Sequence, residues 1–377
     1  MRIGFDGKRA VQNFTGLGNY SRYVADILCH FYPENDYVLY APKKRENKRM
    51  NLLTGQYRQL TLAYPATSFW KKLSSLWRVW GITSQLEKEG IELFHGLSNE
   101  LPLNIHKSRI KSIVTIHDLI FLRYPQYYQS IDRKIYTYKF RKACENADKI
   151  IAISECTKRD IIRYFNIPDD KIEVVYQGCD VSFTHPVTEE KKEEVRKKYQ
   201  LPDHYILNVG SIEERKNILA AVQALPMLPQ HIHIVIVGRR TGYTEKVEQF
   251  IKDNGLGERV HIISNVPFND LPAFYQSAEI FVYPSRFEGF GIPIIEALYS
   301  GIPVVAATGS CLEEAGGPDS IYVNPDDITG LADAFKQIYS NSDKRKNMVE
   351  KGREFAKRFS EKQQSEEIIN IYKKLMK

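Results

Sequence analysis

The sequence predicts two consecutive α/β domains, each an open parallel sheet of Rossmann type, in a chain of 377 residues. Three observations carry that prediction. The chain exceeds the size at which one core stays efficient, so two domains of ordinary size are expected. Strand-like and helix-like segments alternate along two stretches, separated at 180–200 by a polar, charge-dense segment with Pro186 and a Glu/Lys run from Glu189. Within the second stretch, residues 281–305 form a complete βαβ turn: an apolar strand, a glycine-punctuated loop, a helix with Pro293 at its start, and a second apolar strand.

The elements follow in order from hydrophobic periodicity. Arg2–Asp6 reads as a strand, 16–30 as a helix, 37–41 as a strand and 69–87 as an amphipathic helix. Strands at 92–95 and 110–116, a helix at 132–146, a strand at 149–153, a helix at 154–165 and a strand at 172–176 complete the first alternation. The second has strands at 205–209, 233–237 and 260–263, helices at 217–225 and 244–253, and a short helix near 270–276 before the βαβ turn. Beyond Asp326 the chain reads as helical, and Ile368, Ile369, Tyr372, Leu375 and Met376 give the last helix an apolar stripe. The expected division is 1–182, a linker and start of the second domain at 183–200, 201–358, and a C-terminal helix at 359–377 returning towards the first domain. A cleft between the halves is the expected ligand site, because ligands of such sheets bind beyond the carboxyl ends of the strands.

Composition narrows the class. With 43% hydrophobic and 26% charged residues the chain is of soluble globular type, and no apolar run approaches the ~18 residues that cross a bilayer. The opening residues run straight into a strand without a signal-peptide pattern, so the cytoplasm is the expected compartment. Five scattered cysteines lack metal-ligand spacing and are expected as buried thiols. A net charge of +7 suits nucleic acid, anionic membrane or phosphorylated substrates and identifies none of them. The helix at 69–87 leaves two readings open. Phe69, Leu73, Leu76 and Trp80 share a face, with Trp70 and Trp77 flanking it and Lys71 and Arg78 opposite. The stripe either packs on the sheet with its basic side in water or touches an anionic membrane.

The chemistry concentrates at strand ends. Glu288 lies in the loop of the βαβ turn and Glu296 in the first turns of its helix, one carboxylate on each side of a helix N-terminus that favours anions. Eight helical positions span about 12 Å, so an extended ligand with hydroxyls at both ends and a diphosphate between them fits; a sugar nucleotide is such a ligand. A solvated loop glutamate and a glutamate that merely complements the dipole are the plain alternative. Arg215 and Lys216 follow the strand at 205–209 and place two cations at a sheet edge, where departure of a diphosphate needs fixed positive charge. Gly16 and Gly18, in the run Thr15–Tyr20, let backbone approach a phosphate, although a simple turn would use them as well. His117-Asp118 follows the apolar strand at 110–116, and His95-Gly96 ends another, where a structural or acceptor-loop role is expected. Gly238, Arg239 and Val266 end two further strands and are equally compatible with ordinary loops.

Glu288 and Glu296, set between Tyr283-Pro284-Ser285 and the run from Ala297 to Val305, together with the ordered motifs before them, give the chain its likeness. It resembles a family-4 glycosyltransferase of the GT-B fold over nearly its whole length. The resemblance implies two Rossmann-like domains facing each other across a deep cleft, an N-terminal acceptor domain and a C-terminal donor domain. It implies that Glu288 faces the donor hexose and Glu296 the ribose, that Arg215 and Lys216 grip the diphosphate, and that His117 lies close to the transferred sugar. It also places Gly16, Gly18, Gly238, Arg239, Val266, Gly289, Phe290, Gly291 and Ile292 around the donor. One departure stands out: Ser211 follows Gly210 where many members carry arginine, so Arg215 is expected to supply the missing charge.

Transfer with retention of anomeric configuration is implied, by a front-face route in which the leaving phosphate accepts the acceptor's proton. The absence of an Asp-x-Asp motif argues against a bound divalent ion, so no metal or other cofactor is expected. Residues 288–293 and 213–217 look similar to bacterial mannosyltransferases of polysaccharide assembly, which favours GDP-mannose as donor. A glucosyl-, galactosyl- or N-acetylglucosaminyltransferase using a UDP-sugar is the alternative; a sugar-nucleotide epimerase and a non-catalytic subunit that binds a partner transferase or glycan are more distant ones. The expected partners are the nucleotide sugar, a glycan or lipid-linked oligosaccharide acceptor and a membrane surface at the inner face of the plasma membrane, with no nucleic acid.

Overall fold

Apolar, β-branched runs buried on both faces are what parallel sheets require, and all strand pairings here are parallel. The computed structural model describes residues 1–14 and 16–377, which form two units: Met1–Gln177 with Glu361–Lys377, and Gly178–Ser360.

The first unit is built on β1 (Arg2–Asp6), β2 (Asp36–Tyr40), β3 (Leu60–Ala63), β4 (Leu93–Gly96), β5 (Lys111–Ile116), β6 (Lys149–Ala152) and β7 (Ile172–Val174). Its sheet order is β3-β2-β1-β4-β5-β6-β7, so the chain reverses direction of sheet growth between β1 and β4. The second unit holds β8 (Tyr205–Val209), β9 (His233–Val237), β10 (Val260–Ile263), β11 (Ile280–Tyr283), β12 (Val304–Ala307) and β13 (Ile321–Val323) in the order β10-β9-β8-β11-β12-β13, with its reversal between β8 and β11. These are the Rossmann-like sheets expected. The strands the sequence reading omitted, β3 and β13, are four- and three-residue edge strands with half-exposed side chains, too short for an apolar period to register.

Two segments differ from expectation. The stretch read as part of a linker holds a helix, Glu189–Tyr199, capped by Thr188 at one end and by left-handed Gln200 at the other. It buries only Val195, so it lacks an apolar stripe, and Asp270 fastens it through Lys191 (2.9 Å), Lys198 (2.7 Å) and Tyr199 (2.9 Å). The helix read at 69–87 is broken: Ser68–Lys72 and Ser74–Leu76 lead into a π-helical turn, Trp77–Gly81, and then Ile82–Lys88. The widened turn shifts the helical phase. Trp77 enters the core and donates to Gln85 (3.0 Å), whereas Phe69, Leu73, Leu76 and Trp80, expected to share a face, are exposed. Carbonyls of the π turn accept from outside it, Val79 from the Leu103 amide (2.9 Å) and Trp80 from Asn104 (3.2 Å). Arg78, expected on a basic side in water, is instead largely buried between Asp6, which it contacts through Nε and Nη2, and Glu100 (2.6 Å).

The last helix, Glu361–Met376, packs Ile368, Ile369 and Tyr372 into the first unit's core beside the helix Gly16–Phe31. Tyr372 hydrogen-bonds His95 Nδ1 at 2.6 Å, and His95 Nε2 meets Thr115 Oγ1 at 2.8 Å. Burial, aided by neighbouring His117, pushes the His95 imidazole down to about 3, so it is neutral and needs both partners. Removing the phenol leaves a buried ring nitrogen unsatisfied. Tyr372→Phe is therefore expected to destabilise the first unit by about 1–3 kcal/mol. Tryptophan fluorescence during urea denaturation reads this selectively, because all 3 tryptophans lie in that unit; an unchanged midpoint would refute it.

Candidate active site

The reversal between β8 and β11 brings two loops side by side at the carboxyl edge of the second unit's sheet, where open α/β sheets hold ligands. After β8 the chain passes Gly210, at φ +151°, into the turn Glu214–Lys216 that carries both cations. A Cβ on Gly210 would stand 3.3 Å from the Lys216 ammonium, and one on Gly238 would lie 1.7 Å from the Gly210 carbonyl oxygen. Gly238 is thus needed for close packing of the β8 and β9 ends. Asn217, at φ +54°, closes the turn and donates to the Pro325 carbonyl (2.7 Å).

Across from this turn, the loop after β11 supplies Glu288. Its Oε2 meets Arg215 at 2.9 Å and its Oε1 meets Lys216 at 3.0 Å; Ser285 (2.9 Å) and Tyr283 (3.1 Å) donate to Oε1. Lys216 also donates to the Tyr283 hydroxyl at 2.7 Å. Arg215 further donates to the Phe287 carbonyl, and the Arg286 amide donates back to the Arg215 carbonyl (2.9 Å), so the two loops lock together. Burial alone would raise the Glu288 carboxyl, but Lys216 and Arg215 outweigh it and hold the group down at about 2. Burial works against the charge on Lys216 and Arg215, and Glu288 reverses that, raising both. Their side chains are about 15% exposed, and Glu288 about 13%, so the cluster opens to solvent without being solvated.

Gly291, at φ +157°, turns the loop into the helix Ile292–Ser300, with Pro293 in its first turn. Cys311 braces the loop, its thiol 2.7 Å from the Phe290 carbonyl and 3.0 Å from that of Glu288. Phe290 itself is buried against Phe359, with ring centroids 5.6 Å apart, and so fixes the loop through its side chain; Gly289 is buried beside it. Glu296 lies on the half-buried side of the helix, accepts from the Tyr275 hydroxyl (2.6 Å), and is pushed up to about 7 by burial and Asp180 despite that bond. Arg239 stands apart from the cluster, about 75% exposed and 3.6 Å from Glu213. Val266, half-buried, follows Asn265, whose φ is +60°. Among the described residues no three histidine, cysteine or carboxylate groups come together as metal ligands.

In the first unit His117 follows β5 and is buried. The Leu97 carbonyl can only accept, so the imidazole proton is on Nε2 (2.9 Å), and Gln177 donates to Nδ1 (3.2 Å). Burial takes the ring down to about 4, only partly offset by the Leu97 bond, leaving it neutral at pH 7. Its backbone is held as well, the amide by Asn99 (2.7 Å) and the carbonyl by Thr157 (3.2 Å). Asp118 accepts from the Ile120 amide (3.1 Å), a loop-ordering contact. Gly16 begins the helix Gly16–Phe31 with open space where a Cβ would be, whereas a Cβ on Gly18 would lie 2.0 Å from the Asn13 carbonyl oxygen. Thr15, in the same motif, lies outside the described residues.

Two family descriptions match the chain: Glycosyltransferase Family 4 over residues 21–183, and Glycosyl transferases group 1 over residues 189–355. O-antigen chain mannosyltransferase B of Escherichia coli is 31% identical over 75% of this chain and 74% of its own. The chain belongs to the family-4 glycosyltransferases. Another relative, O-antigen chain mannosyltransferase RfbU of Salmonella typhimurium, is 29% identical over 60% of each chain. Among solved structures, sucrose-phosphate synthase from Thermosynechococcus elongatus superposes with a TM-score of 0.78 at 20% identity, covering 100% of this chain and 99% of that one. The lipopolysaccharide glycosyltransferase WaaG gives 0.71 at 15% identity, covering 98% and 99%. The pair of Rossmann-like units is that of GT-B glycosyltransferases, and this family-4 chain is a glycosyltransferase.

Tyr283 and Ser285 entered the sequence reading only as motif context, and Tyr275, Cys311 and Gln177 carried no signal in it. Each lies far in sequence from the group it holds or is of a type that cores use freely; only Tyr283 and Ser285 sit close enough to Glu288 for spacing to have suggested contact. Glu296 gives this family-4 site a pH signature. Between its ordinary value of 4.5 and about 7 the unfolded chain releases a proton that the folded chain keeps, so stability falls as pH rises through that window and levels above it. Relative to Glu296→Gln, the wild type should lose thermal stability from pH 5 to pH 7. A pH-independent difference between the two would refute the raised carboxyl.

Proposed function

We propose that this glycosyltransferase moves a hexose, mannose from GDP-mannose, onto a glycan or lipid-linked glycan of cell-surface polysaccharide, with retention and without a bound metal. The single observation that carries the reading is Glu288 held between Arg215 and Lys216 at the reversal point of the donor-unit sheet. Two cations are thereby fixed before any ligand arrives, held by Glu288 and, 3.6 Å from Arg215, by the more exposed Glu213. That is what a departing diphosphate needs, since its negative charge grows as the glycosidic bond breaks. GDP-mannose as donor is supported by the mannosyltransferase names of the relatives.

In this proposal Lys216 and Arg215 take the diphosphate and the place of a metal ion, with the backbone of Gly210, Gly238 and Gly289 to Ile292 leaving room for it. Glu288, ionised, faces the sugar and steadies the positive charge that develops at the anomeric carbon. Glu296 accepts from the ribose hydroxyls, Val266 lies beside the base and Arg239 is an outer cation. The acceptor hydroxyl gives its proton to the leaving phosphate, so no side chain carries it. His117 has no free ring nitrogen and a neutral ring, so it serves as a positioning residue for the sugar side, alongside Gly16 and Gly18.

A thermal-shift screen against GDP-mannose, UDP-glucose, UDP-galactose and UDP-N-acetylglucosamine tests the donor. A ligand at about a hundredfold its Kd stabilises by ~2.7 kcal/mol, and stabilisation by a UDP-sugar alone would replace the mannosyl reading with the UDP-dependent one. Glu288→Ala should cut turnover and leave nucleotide binding nearly intact, whereas Glu296→Ala should weaken nucleotide binding itself. Equal nucleotide affinity in the wild type and both variants would overturn these roles. Lys216→Ala should lower kcat by about 100-fold while the wild type keeps its activity in excess EDTA; an absolute requirement for magnesium or manganese would contradict the metal-free route.

A further inference from the structure

The first unit has a switch point of its own, between β1 and β4, and the loops that leave those strands carry charge that donor binding does not use. Asp6 ends β1, and Glu100 lies in the loop after β4. Arg78 binds both, reaching Asp6 through Nε (3.1 Å) and Nη2 and Glu100 through Nη1 (2.6 Å), while Lys139 stands 3.7 Å from Glu100. Both carboxylates are thereby engaged. Lys8 and Arg9 follow β1 directly and are half-buried at the same edge. Neither the ammonium nor the guanidinium has an ion-pair or hydrogen-bond partner among the described residues.

The surroundings of Lys8 disfavour its charge. Burial, first of all, holds the ammonium below its ordinary range, and Arg78 and Arg9 add to this; Glu100 and Asp6 pull the other way and are outweighed. Arg9 also acts on the His117 ring, so its charge reaches from Lys8 to the end of β5. A lysine kept for stability would gain from its neighbours; one that loses by them is in the position of a group kept for a ligand. Ser98, two residues before Glu100, is 4% exposed, and its hydroxyl has no hydrogen-bond partner either. Open sheets hold their ligands at such reversals. A neutral ligand would leave both cations unpaired as it displaced their water, whereas an anion would satisfy them, the guanidinium by a forked contact and the ammonium as a point charge.

We propose that Lys8 and Arg9 form an anion subsite for the acceptor, so that the enzyme selects an acceptor bearing a phosphate or a carboxylate near the hydroxyl that receives the sugar. The inference rests on the reading of the first unit as the acceptor side and adds the charge class of the acceptor. Arg78, fastened to Asp6 and Glu100, fixes the wall of the subsite and does not contact the anion.

The test is calorimetric titration of the full chain, saturated with the nucleotide that stabilises it most so that the donor site is filled. The probes are inorganic phosphate, glucuronate and, as a neutral sugar, glucose. Binding of phosphate or glucuronate and not of glucose is expected; phosphate assigns the subsite to the phosphate of a lipid-linked acceptor, glucuronate to an acidic sugar. Lys8→Gln and Arg9→Gln should each weaken the bound anion about tenfold and leave nucleotide affinity unchanged, and Lys8→Arg should keep most of the binding. Lys88→Gln, which changes an exposed lysine elsewhere in the unit, should alter nothing. Because its neighbours disfavour Lys8, Lys8→Gln should also leave the melting temperature unchanged or raise it, which loss of a structural lysine would not do. Absence of binding by both anions, equal binding by glucose, equal binding by the Lys8→Gln and Arg9→Gln variants, or a lower melting temperature of Lys8→Gln would overturn the proposal. Failure of every nucleotide in the thermal-shift screen would fall on the donor reading instead, and the same titration of the nucleotide-free chain against Lys8→Gln would still decide this one.

Discussion

The attraction of two cations for one buried carboxylate is the constraint around which the second unit is arranged. Glu288, Arg215 and Lys216 come from loops more than seventy residues apart in sequence, and each would be unfavourable alone in so little water. Removing one partner from such a buried set costs about 3–5 kcal/mol, because the charges left behind are uncompensated. The backbone conforms to that requirement. Gly210 leaves the Lys216 ammonium its space, Gly238 lets two loops touch, and Gly291 turns the Glu288 loop into a helix through an angle other residues rarely adopt. A cluster whose cations are compensated by Glu288, with Glu213 at its rim, is stable without a ligand and holds two positive groups in place for an anion.

Glu288 and Glu296 show how one residue type acquires two characters within a single βαβ turn. Both are withdrawn from water, which raises a carboxyl. At Glu288 the adjacent cations overcome that and leave an ion at any physiological pH; at Glu296 only the Tyr275 hydroxyl opposes it, and Asp180 adds to it. The first is a fixed charge. The second is close to half-ionised near neutrality, so its interaction with hydroxyl donors depends on pH and on whatever excludes water from it. A reaction that separates charge at the sugar is better served by the former, and recognition of a neutral diol tolerates the latter.

The sequence made the sheets legible because buried parallel strands are dense apolar runs, and it made Glu288, Glu296, Arg215 and Lys216 legible because their loops start at strand ends. What it concealed has physical causes. The helix Glu189–Tyr199 buries a single apolar residue and is secured by a distant aspartate, so nothing periodic marked it. The π turn at Trp77–Gly81 depends on contacts from Leu103 and Asn104, some twenty residues away, so the local pattern does not announce it. Arg78 looked solvated at helical spacing and is instead buried between Asp6 and Glu100, which come from other elements. Phe290, in a donor-binding motif, turns into the core. Periodicity reports a face only where the helix is regular.

The histidines of the first unit tie its site to the places where the chain changes units. Gln177 is the last residue before the chain enters the second unit, and its side chain fixes the Nδ1 side of His117. The chain returns at Glu361, and from that final helix Tyr372 fixes His95; His95 holds Thr115, and Tyr20, 3.3 Å from Thr115, sets its ring edge-on to His117 at 4.7 Å. Both passages of the chain therefore end, through short polar links, on one neutral imidazole whose ring nitrogens are fully engaged. A histidine held so is poorly suited to carrying protons and well suited to holding shape: its tautomer and orientation are determined by residues at both chain crossings, and the loop after β5 inherits that order.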